Sequence, residues 1–296
     1  MPVTSRYGHR ALLVLLVLIW AISWPAIKVG VANVPPLWFA CLRYAIAAVC
    51  LFAFVGSQRK LAFPPRTDWP LVAVSAILQL AAYSALTAIA LTVLQPGRAS
   101  VLAFSTPIWV VPIAAWRLKE RMSRSGLLGV LLGIGGALAI ASPSLQSSGS
   151  RQALAYGLLM GAAGAWAISI VFVRAHRFTA SALALAPWQM LMATVLLLPL
   201  ALFVEGAPPS IGLVGVASLV YVGPVATAFA YWAVVEAGRH FPARVTSMAL
   251  LATPGLGILI SASVLGEEVG LSLIGGALLI AIGIGLATGP GSARPS

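Results

Sequence analysis

The 296-residue chain contains few charged residues. Asp, Glu, Lys and Arg make up only 8% of the sequence, whereas hydrophobic residues make up 60%. A soluble domain carries about a quarter of its residues as charged side chains. The shortage of charge therefore excludes a soluble globular fold of this size. The mean hydropathy of +1.01 indicates a polytopic membrane protein.

Residues that support catalysis or metal binding are also scarce. The two cysteines, Cys41 and Cys50, lie in one apolar run, and no metal-binding Cys spacing is present, so we expect neither a disulfide nor a zinc site. The three histidines fall beside arginines in predicted loops, and the six acidic residues fall at or near predicted helix ends. An intramembrane hydrolase or metal-dependent enzyme needs such groups at membrane depth. We therefore expect that the protein is not an enzyme and that it binds neither a cofactor nor a metal ion.

Long apolar segments account for most of the chain. A spanning helix needs about 20 apolar residues, and ten segments meet this requirement. The predicted spans run roughly over 11–30, 36–55, 69–91, 97–116, 125–142, 153–173, 181–204, 211–235, 242–265 and 270–288. A Ser-rich stretch near the middle divides the chain into two units, 1–145 and 146–296.

The positive charges predict the orientation of these spans. The chain has 18 Lys and Arg against 6 Asp and Glu. If the N-terminus is cytoplasmic, 14 basic residues fall in inside segments and 2 in outside loops. Such a bias predicts that both termini are cytoplasmic and that the number of spans is even. Because cytoplasmic loops account for the basic excess, we expect no nucleic-acid partner.

The sequence contains an internal repeat. Four residues recur at an offset of 147, since Ser100, Thr106, Pro107 and Glu120 match Ser247, Thr253, Pro254 and Glu267. The string Trp-Ala-Ile-Ser occurs at 20–23 and again at 166–169, an offset of 146. Five spans per half is an odd number, so the second half enters the membrane in the opposite orientation. We predict an all-α membrane protein with two inverted five-helix repeats, a plan typical of transporters with a site between the halves.

Several side chains inside the spans are candidates for this site. Trp20 and Trp166 lie near the middle of equivalent spans, where two indoles could form an apolar wall for a small organic substrate. Gln79 and Gln189 carry amides that need partners in hydrocarbon, and they could either face a cavity or join helices. Other Trp and Tyr residues fit an interfacial belt by default.

Two basic residues and two prolines within the spans allow alternative interpretations. Arg43 lies in the second span, where it could hold an anionic group or bond the carbonyls of a neighbouring helix. Lys28 lies near the outer end of the first span and could reach the interface. Pro107 and Pro254, each preceded by Thr, would kink equivalent helices, either for gating or for packing alone.

The fifth and tenth spans differ from the others because they are rich in glycine. Small residues at four-residue spacing favour close helix contact. Neither span carries a charge or an aromatic residue. We therefore expect these two helices to serve in packing or dimerisation, away from the substrate path.

The chain resembles the EamA family of the drug/metabolite transporter superfamily. The resemblance extends over the whole chain. It is carried by the ten spans in two halves and by Pro107 followed by Leu-Lys-Glu-Arg at 118–121, with Pro254 followed by Leu-Gly-Glu-Glu at 265–268. It implies export of small metabolites, often amino acids, by alternating access across the cytoplasmic membrane of a bacterium.

The resemblance also implies where the substrate binds. In this family the first, third, fourth, sixth, eighth and ninth helices form a central cavity. The residues selected in this way are Trp20, Ser23, Gln79, Tyr83, Ser105, Trp166, Ser169, Tyr231 and Thr253. Gating or structural roles are expected for Lys28, Arg43, Pro107, Pro254, Glu120 and Glu267.

The sequence features allow three functions. The leading expectation is a secondary transporter of amino acids or similar metabolites, with membrane lipid as its other partner, acting as a monomer or weak homodimer. A multidrug or organic-cation exporter is the second, although cation export usually relies on an acidic residue in the cavity. A membrane-embedded enzyme or lipid-handling protein is the third, and it would need an acid or histidine at mid-span.

Overall fold

A computed structural model describes the protein over 3–119, 121–147, 150–176, 178–241, 243–288 and 293–294. Glu120, for which a gating or structural role is predicted, lies outside the described residues, as does Arg177. The prediction of an all-α fold holds for the described residues, apart from one pair of two-residue strands.

Within the described residues, each half contains seven α-helices and one π-helical segment, which is named π1 in the first half and π2 in the second. The bounds in the first half are α1 Val3–Asn33, α2 Pro36–Ser57, α3 Trp69–Val74, π1 Ser75–Ala82, α4 Tyr83–Val93, α5 Pro96–Ala103, α6 Thr106–Arg117 and α7 Arg124–Ser147. Those in the second half are α8 Ser150–Ala175, α9 Ala182–Glu205, α10 Leu213–Val220, π2 Tyr221–Phe229, α11 Ala230–His240, α12 Ala243–Leu250, α13 Ala252–Leu265 and α14 Leu271–Thr288. Strands β1 (Arg121–Met122) and β2 (Ala293–Arg294) pair antiparallel.

Nine helical stretches of the described chain are long and apolar enough to cross a membrane. They are Gly8–Asn33, Pro36–Ser57, Arg66–Val93, Pro96–Arg117, Arg124–Ser142, Ser150–Ala175, Ala182–Glu205, Leu213–His240 and Leu271–Thr288. The predicted ninth span is occupied by α12 and α13, which are separated only by Leu251. The second of these helices, with 14 residues, is too short to cross on its own.

Acidic side chains accept hydrogen bonds from N–H groups at, or just before, the N-terminal ends of helices from other parts of the chain. The Glu205 carboxylate, at the end of α9, accepts hydrogen bonds from the backbone N–H groups of Leu37 (3.0 Å) and Trp38 (2.9 Å) in α2. Asp68, before α3, accepts one from Ala180 (2.8 Å), just before α9. The first N–H groups of a helix have no partner within it, and a carboxylate both pairs with them and complements the helix dipole. These acids therefore join helix ends from different parts of the chain.

The glycine-rich helices α7 and α14 pack against each other. A Cβ atom at Gly129 would lie 2.5 Å from the Gly283 carbonyl oxygen, and one at Gly136 would lie 2.6 Å from that of Gly276. Only glycine permits backbones to approach this closely. The predicted packing role of these helices is thus fulfilled within one chain.

Two spans are interrupted at Phe104–Ser105 and at Leu251, so that α5 joins α6 and α12 joins α13 through a break. The α5 helix packs against α13, and a Cβ atom at Gly257 would lie 3.1 Å from the Ser100 hydroxyl. All residues of α5 except Arg98 are buried. In α6 only Thr106, Ile108 and Ala114 are buried.

Candidate functional site

A cavity of about 450 Å³ lies at the centre of the described structure. Its wall includes residues of α1, α2, π1, α4, α6, α8, α9, π2 and α11, together with the two helix breaks at Phe104 and Leu251. Cavities of this size, largely apolar with a few polar groups, commonly hold small organic ligands. No acidic residue and no histidine is present among the described residues that line it.

Six of the nine predicted substrate-binding residues border this cavity. They are Trp20, Ser23, Gln79, Tyr83, Trp166 and Tyr231. The other three lie outside the lining. Ser105 is buried and donates to the Leu102 carbonyl (2.6 Å), Ser169 is buried and donates to the Gln79 side-chain oxygen (3.4 Å), and Thr253 is fully buried. Two of these hydroxyls are therefore engaged with the helices around them.

The aromatic part of the wall is held by specific contacts. The Trp20 indole N–H donates to the Ala226 carbonyl (3.2 Å), which fixes the indole of α1 against π2. Trp166 meets Tyr83 edge to face, with ring centroids 4.6 Å apart and an interplanar angle of 80°. This is a favourable geometry for two aromatic rings. The predicted indole pair thus contributes to one cavity from two different helices.

The remaining predicted polar residues mainly bond protein groups. Ser23 donates to the carbonyl of Trp20 in its own helix (2.7 Å), as serine commonly does inside helices. The Tyr231 hydroxyl donates to the side-chain oxygen of Gln189 (3.3 Å), which joins α11 to α9. Gln189 therefore links two helices, one of the two roles that its sequence position allowed.

The two π-helical segments bring backbone irregularity to the cavity. Gln79 and Leu80 of π1 line it, and so do Ala226 and Thr227 of π2. π-Helical turns are rare and occur often at functional sites. Pro224 lies within π2 and removes a backbone N–H donor, whereas no proline accompanies π1.

Arg43 also lines the cavity, although the family resemblance left it out of the expected set. Its Nε donates to the Thr227 hydroxyl oxygen (2.7 Å), and the Thr227 hydroxyl in turn donates to the Val222 carbonyl (2.7 Å). The guanidinium carbon lies 5.3 Å from the centre of the Tyr44 ring. The arginine is thus positioned by π2 and by its own neighbour.

The other residues with predicted gating or structural roles divide between the cavity and the packing. Pro107 borders the cavity, whereas Pro254 is not among its lining residues. Lys28 donates to the carbonyls of Leu91 (2.7 Å) and Leu94 (3.1 Å), at the end of α4. A cation is favourable at the C-terminal end of a helix, so this lysine joins α1 to α4.

Glu267 closes the start of α5. Its carboxylate accepts from the N–H groups of Gly97 (2.7 Å) and Arg98 (3.1 Å). A Cβ atom at Gly97 would lie 2.6 Å from the carboxylate, so glycine is needed for this approach. Burial raises the pKa of the Glu267 carboxyl, and the two N–H donors oppose part of that rise. The structural role predicted for this acid fits these contacts.

Several lining residues were not singled out from the sequence, although the repeat offset could have indicated them. Several pairs of lining positions are related by 146 or 147, including Trp20 and Trp166, Trp24 and Ile170, Tyr44 and Met190, Leu80 and Ala226, Thr87 and Val234, Ala103 and Leu250, and Phe104 and Leu251. Both halves therefore supply equivalent positions to one cavity.

A histidine cluster elsewhere on the described surface has the residue types of a metal site. His9, Glu236 and His240 place their ligand atoms within 4.8 Å of one another. However, the two imidazole rings stack with centroids 3.6 Å apart and an angle of 23°, and Glu236 forms an ion pair with Arg239 (3.1 Å). The lone pairs of stacked rings lie in two separated and nearly parallel planes, so they do not converge on one ion.

Comparison with known proteins places this architecture in a family. The profile of the EamA-like transporter family matches the chain twice, over 10–142 and 153–289. The chain belongs to the EamA-like transporter family. It is a multi-pass membrane transporter, and its relatives carry the names of transporters and efflux pumps.

Three bacterial relatives are similar over nearly the whole chain. The uncharacterized transporter YoaV of Bacillus subtilis is 28% identical over 90% of this chain and 92% of its own. A probable amino-acid metabolite efflux pump of Salmonella typhimurium is 28% identical over 95% and 94%. A probable terminal-alkyne amino-acid exporter of Streptantibioticus cattleyicolor is 28% identical over 91% and 90%.

A solved crystal structure has the same fold. It superposes with a TM-score of 0.63 at 20% sequence identity, and the match covers 95% of this chain and 97% of the other. At this identity the likeness concerns the fold alone. The likeness supports the arrangement of the helices and carries no information on the substrate.

Proposed function

We propose that this transporter exports small amphipathic metabolites, with amino acids as the leading class, by alternating access. The observation that carries the proposal is the central cavity of about 450 Å³. It combines an aromatic wall with a small number of polar groups, and both halves of the chain contribute to it. Because the cavity lies among the spanning helices, a transported molecule would pass through it.

The alternating-access mechanism rests on an inverted-repeat architecture of ten spans with both termini in the cytoplasm, which we also propose. Three structural offsets support the repeat. The π-helical segments begin at Ser75 and Tyr221, 146 residues apart, and the helix breaks at Phe104 and Leu251 are 147 apart. In addition, the contact of Gly129 with Gly283 maps by the same shift onto that of Gly276 with Gly136. A reporter enzyme active only outside the cytoplasm should work between α7 and α8 and fail at either terminus.

The packing of the interrupted helices supports an opening toward the side of α6 and α12. Within the described residues, α5 contacts α13 closely, while no comparable packing joins α6 to α12. The charge pattern predicts that the α6 side is cytoplasmic. We propose that the two breaks act as hinges, so that α6 and α12 approach one another as α5 and α13 separate.

The chemistry of the cavity favours amino acids over organic cations. Exporters of organic cations commonly use an intramembrane carboxylate, and the described lining has none. It does contain a cation, Arg43, together with indole and phenol rings. The names of two relatives, an amino-acid metabolite efflux pump and an amino-acid exporter, fit the same class.

Flux measurements test this proposal directly. The purified protein, reconstituted in liposomes loaded with radiolabelled amino acids, should release them faster than protein-free liposomes do. Aromatic and large aliphatic amino acids are expected to be the best substrates because the wall is aromatic and apolar. Flux of organic cations without any flux of amino acids would replace the proposal with the alternative of a multidrug exporter.

A further inference from the structure

Arg43 is a charged side chain held part-way into the membrane. It is the eighth residue of α2 (Pro36–Ser57), so it lies about 10 Å along the helix from its start. A guanidinium at this depth is costly unless it is paired or hydrated, and it usually faces a polar cavity or a partner. The residue is half-buried and borders the central cavity.

The hydrogen bonds of Arg43 fix one edge of its guanidinium. The Thr227 hydroxyl has a single hydrogen, which it donates to the Val222 carbonyl, so its oxygen is left to accept from Arg43 Nε. The Val222 carbonyl lies five residues before Thr227 within π2. The π-helical segment thus anchors the arginine through Nε alone.

The outer edge of the same guanidinium remains available. The two terminal nitrogens, Nη1 and Nη2, form no hydrogen bond with any residue that the structure describes, and neither is a fully buried atom. They are therefore accessible on a residue that borders the cavity. Two N–H groups in one plane form the fork that binds a carboxylate through both of its oxygens.

The other half of the chain carries no such group at the equivalent place. An offset of 146 relates Arg43 to Gln189, whose side-chain oxygen accepts from the Tyr231 hydroxyl. Thr227 and Tyr231 are four residues apart on the same face of the eighth span, so both equivalent residues are held by that span. The second half thus carries a neutral amide at the equivalent position, and the positive charge at Arg43 is specific to the first half.

We propose that Arg43 binds the carboxylate of the transported molecule and thereby makes a carboxylate, rather than an amine, the required group of the substrate. This proposal rests on the proposed export function and names the chemical class of its substrate. The nonpolar part of the molecule would lie against the indoles of Trp20 and Trp166. With no acidic residue in the described lining, an amino group would gain only contacts with aromatic rings and neutral polar groups.

Four related compounds separate the two charged groups of an amino acid. L-Phenylalanine carries both, 3-phenylpropionate lacks the amine, and phenylalaninamide and phenethylamine lack the carboxylate. We expect the purified protein to bind the first two, as measured by quenching of tryptophan fluorescence and by competition with labelled phenylalanine flux. The two compounds without a carboxylate should bind at least about tenfold more weakly, because a charge-assisted hydrogen-bond pair is lost.

The Arg43→Gln variant introduces the residue that the second half carries at the equivalent position. Phenylalanine and 3-phenylpropionate should bind it roughly 10- to 100-fold more weakly, while phenethylamine should bind as it does to the original protein. Arg43→Lys keeps the charge without the fork and should recover part of the preference for a carboxylate. Thermal unfolding in detergent identifies any loss of folded protein, and the ratio of acid to amine binding is independent of the amount of folded protein.

The outcomes distinguish this inference from the proposed function. If no amino acid is bound or moved by the original protein, the export proposal fails. If phenylalanine is transported but the Arg43→Gln variant retains the same preference for acid over amine, the arginine is a packing residue and the inference is overturned. Equal loss of all four compounds in a folded variant would likewise overturn it.

Discussion

The two halves of this transporter share a framework and differ in what they present to the cavity. Two framework features recur at nearly the same offset, since the π-helical segments begin 146 residues apart and the helix breaks lie 147 residues apart. Cavity positions related by an offset of 146 have different side chains, with Tyr44 and Trp24 in the first half and Met190 and Ile170 in the second, and Arg43 of the lining corresponds to Gln189, which lies outside it. The first half therefore supplies the cation and more of the aromatic surface.

This difference has a physical reason. Framework positions are constrained by backbone approach and by helix ends that need partners, and the two halves meet these demands in similar ways. A small asymmetric ligand does not have the pseudo-symmetry of the protein, so the groups that bind it need to be present only once. The contrast separates the residues that maintain the fold from those that select the substrate.

The largest effect is expected where the framework is tightest. Gly136→Leu and its equivalent, Gly283→Leu, should each reduce the yield of folded protein strongly, because a Cβ atom alone would lie 2.6 Å from a carbonyl of the facing helix. Overpacking of this kind costs about 1–3 kcal/mol or more. The control is Gly135→Leu, where a Cβ atom meets nothing within 4 Å. Thermal unfolding in detergent measures the effect, and unequal losses at Gly136 and Gly283 would contradict an equivalent framework.

The next effect concerns the helix start closed by Glu267. Glu267→Ala leaves the N–H groups of Gly97 and Arg98 without their carboxylate, and we expect the free energy of unfolding to fall by about 1–3 kcal/mol. The exposed neighbour in Glu268→Ala is the matched control. Chemical denaturation in detergent gives the values. Glu120→Ala, at the sequence equivalent of Glu267, then tests whether the equivalent acid stabilises the protein to the same extent. An unchanged free energy of unfolding in Glu267→Ala would contradict the structural role of Glu267.

The indole pair should affect transport more than stability. Trp20→Ala and Trp166→Ala each remove a large part of the aromatic wall, and we expect flux of a labelled aromatic amino acid to fall about tenfold. The two residues occupy equivalent positions but have different partners, the Ala226 carbonyl and the Tyr83 ring. Trp116→Ala, at a side chain that is 81% exposed, provides the control. Unchanged flux in both cavity variants, with folded protein at normal levels, would rule out the aromatic wall.

The smallest effect is expected for a change of one aromatic residue of the first half to its counterpart in the second. Trp24→Ile introduces the residue found at position 170 and removes a ring that lies 6.4 Å from that of Phe104. We predict a two- to threefold rise in KM for phenylalanine, about the value of one aromatic contact, with little change for leucine. Initial rates of uptake into liposomes give both constants. An equal rise for the two amino acids would mean that Trp24 shapes the cavity without selecting for rings.

Much of the site could be predicted from the sequence because the resemblance to the EamA family implies which helices surround the centre, and the apolar spans locate those helices in the chain. Trp20, Trp166 and Tyr83 were predicted to line the cavity and do so. For Arg43 the resemblance predicts a gating or structural role, because its helix lies outside the set that forms the cavity in this family. Its position in the lining depends on the bond between Arg43 and Thr227, which are 184 residues apart, and no local pattern specifies such a bond.

The sequence by itself determined the class of protein and predicted the division of its chain. Apolar stretches of about 20 residues have to form helices in hydrocarbon, because every backbone polar group needs a partner there, and the uneven basic residues predict how those helices are oriented. Only the tertiary structure decided which side chains meet. Glu205 bonds the start of α2 across 168 residues and Lys28 the end of α4 across 63, because helix ends require partners from whichever segment packs beside them.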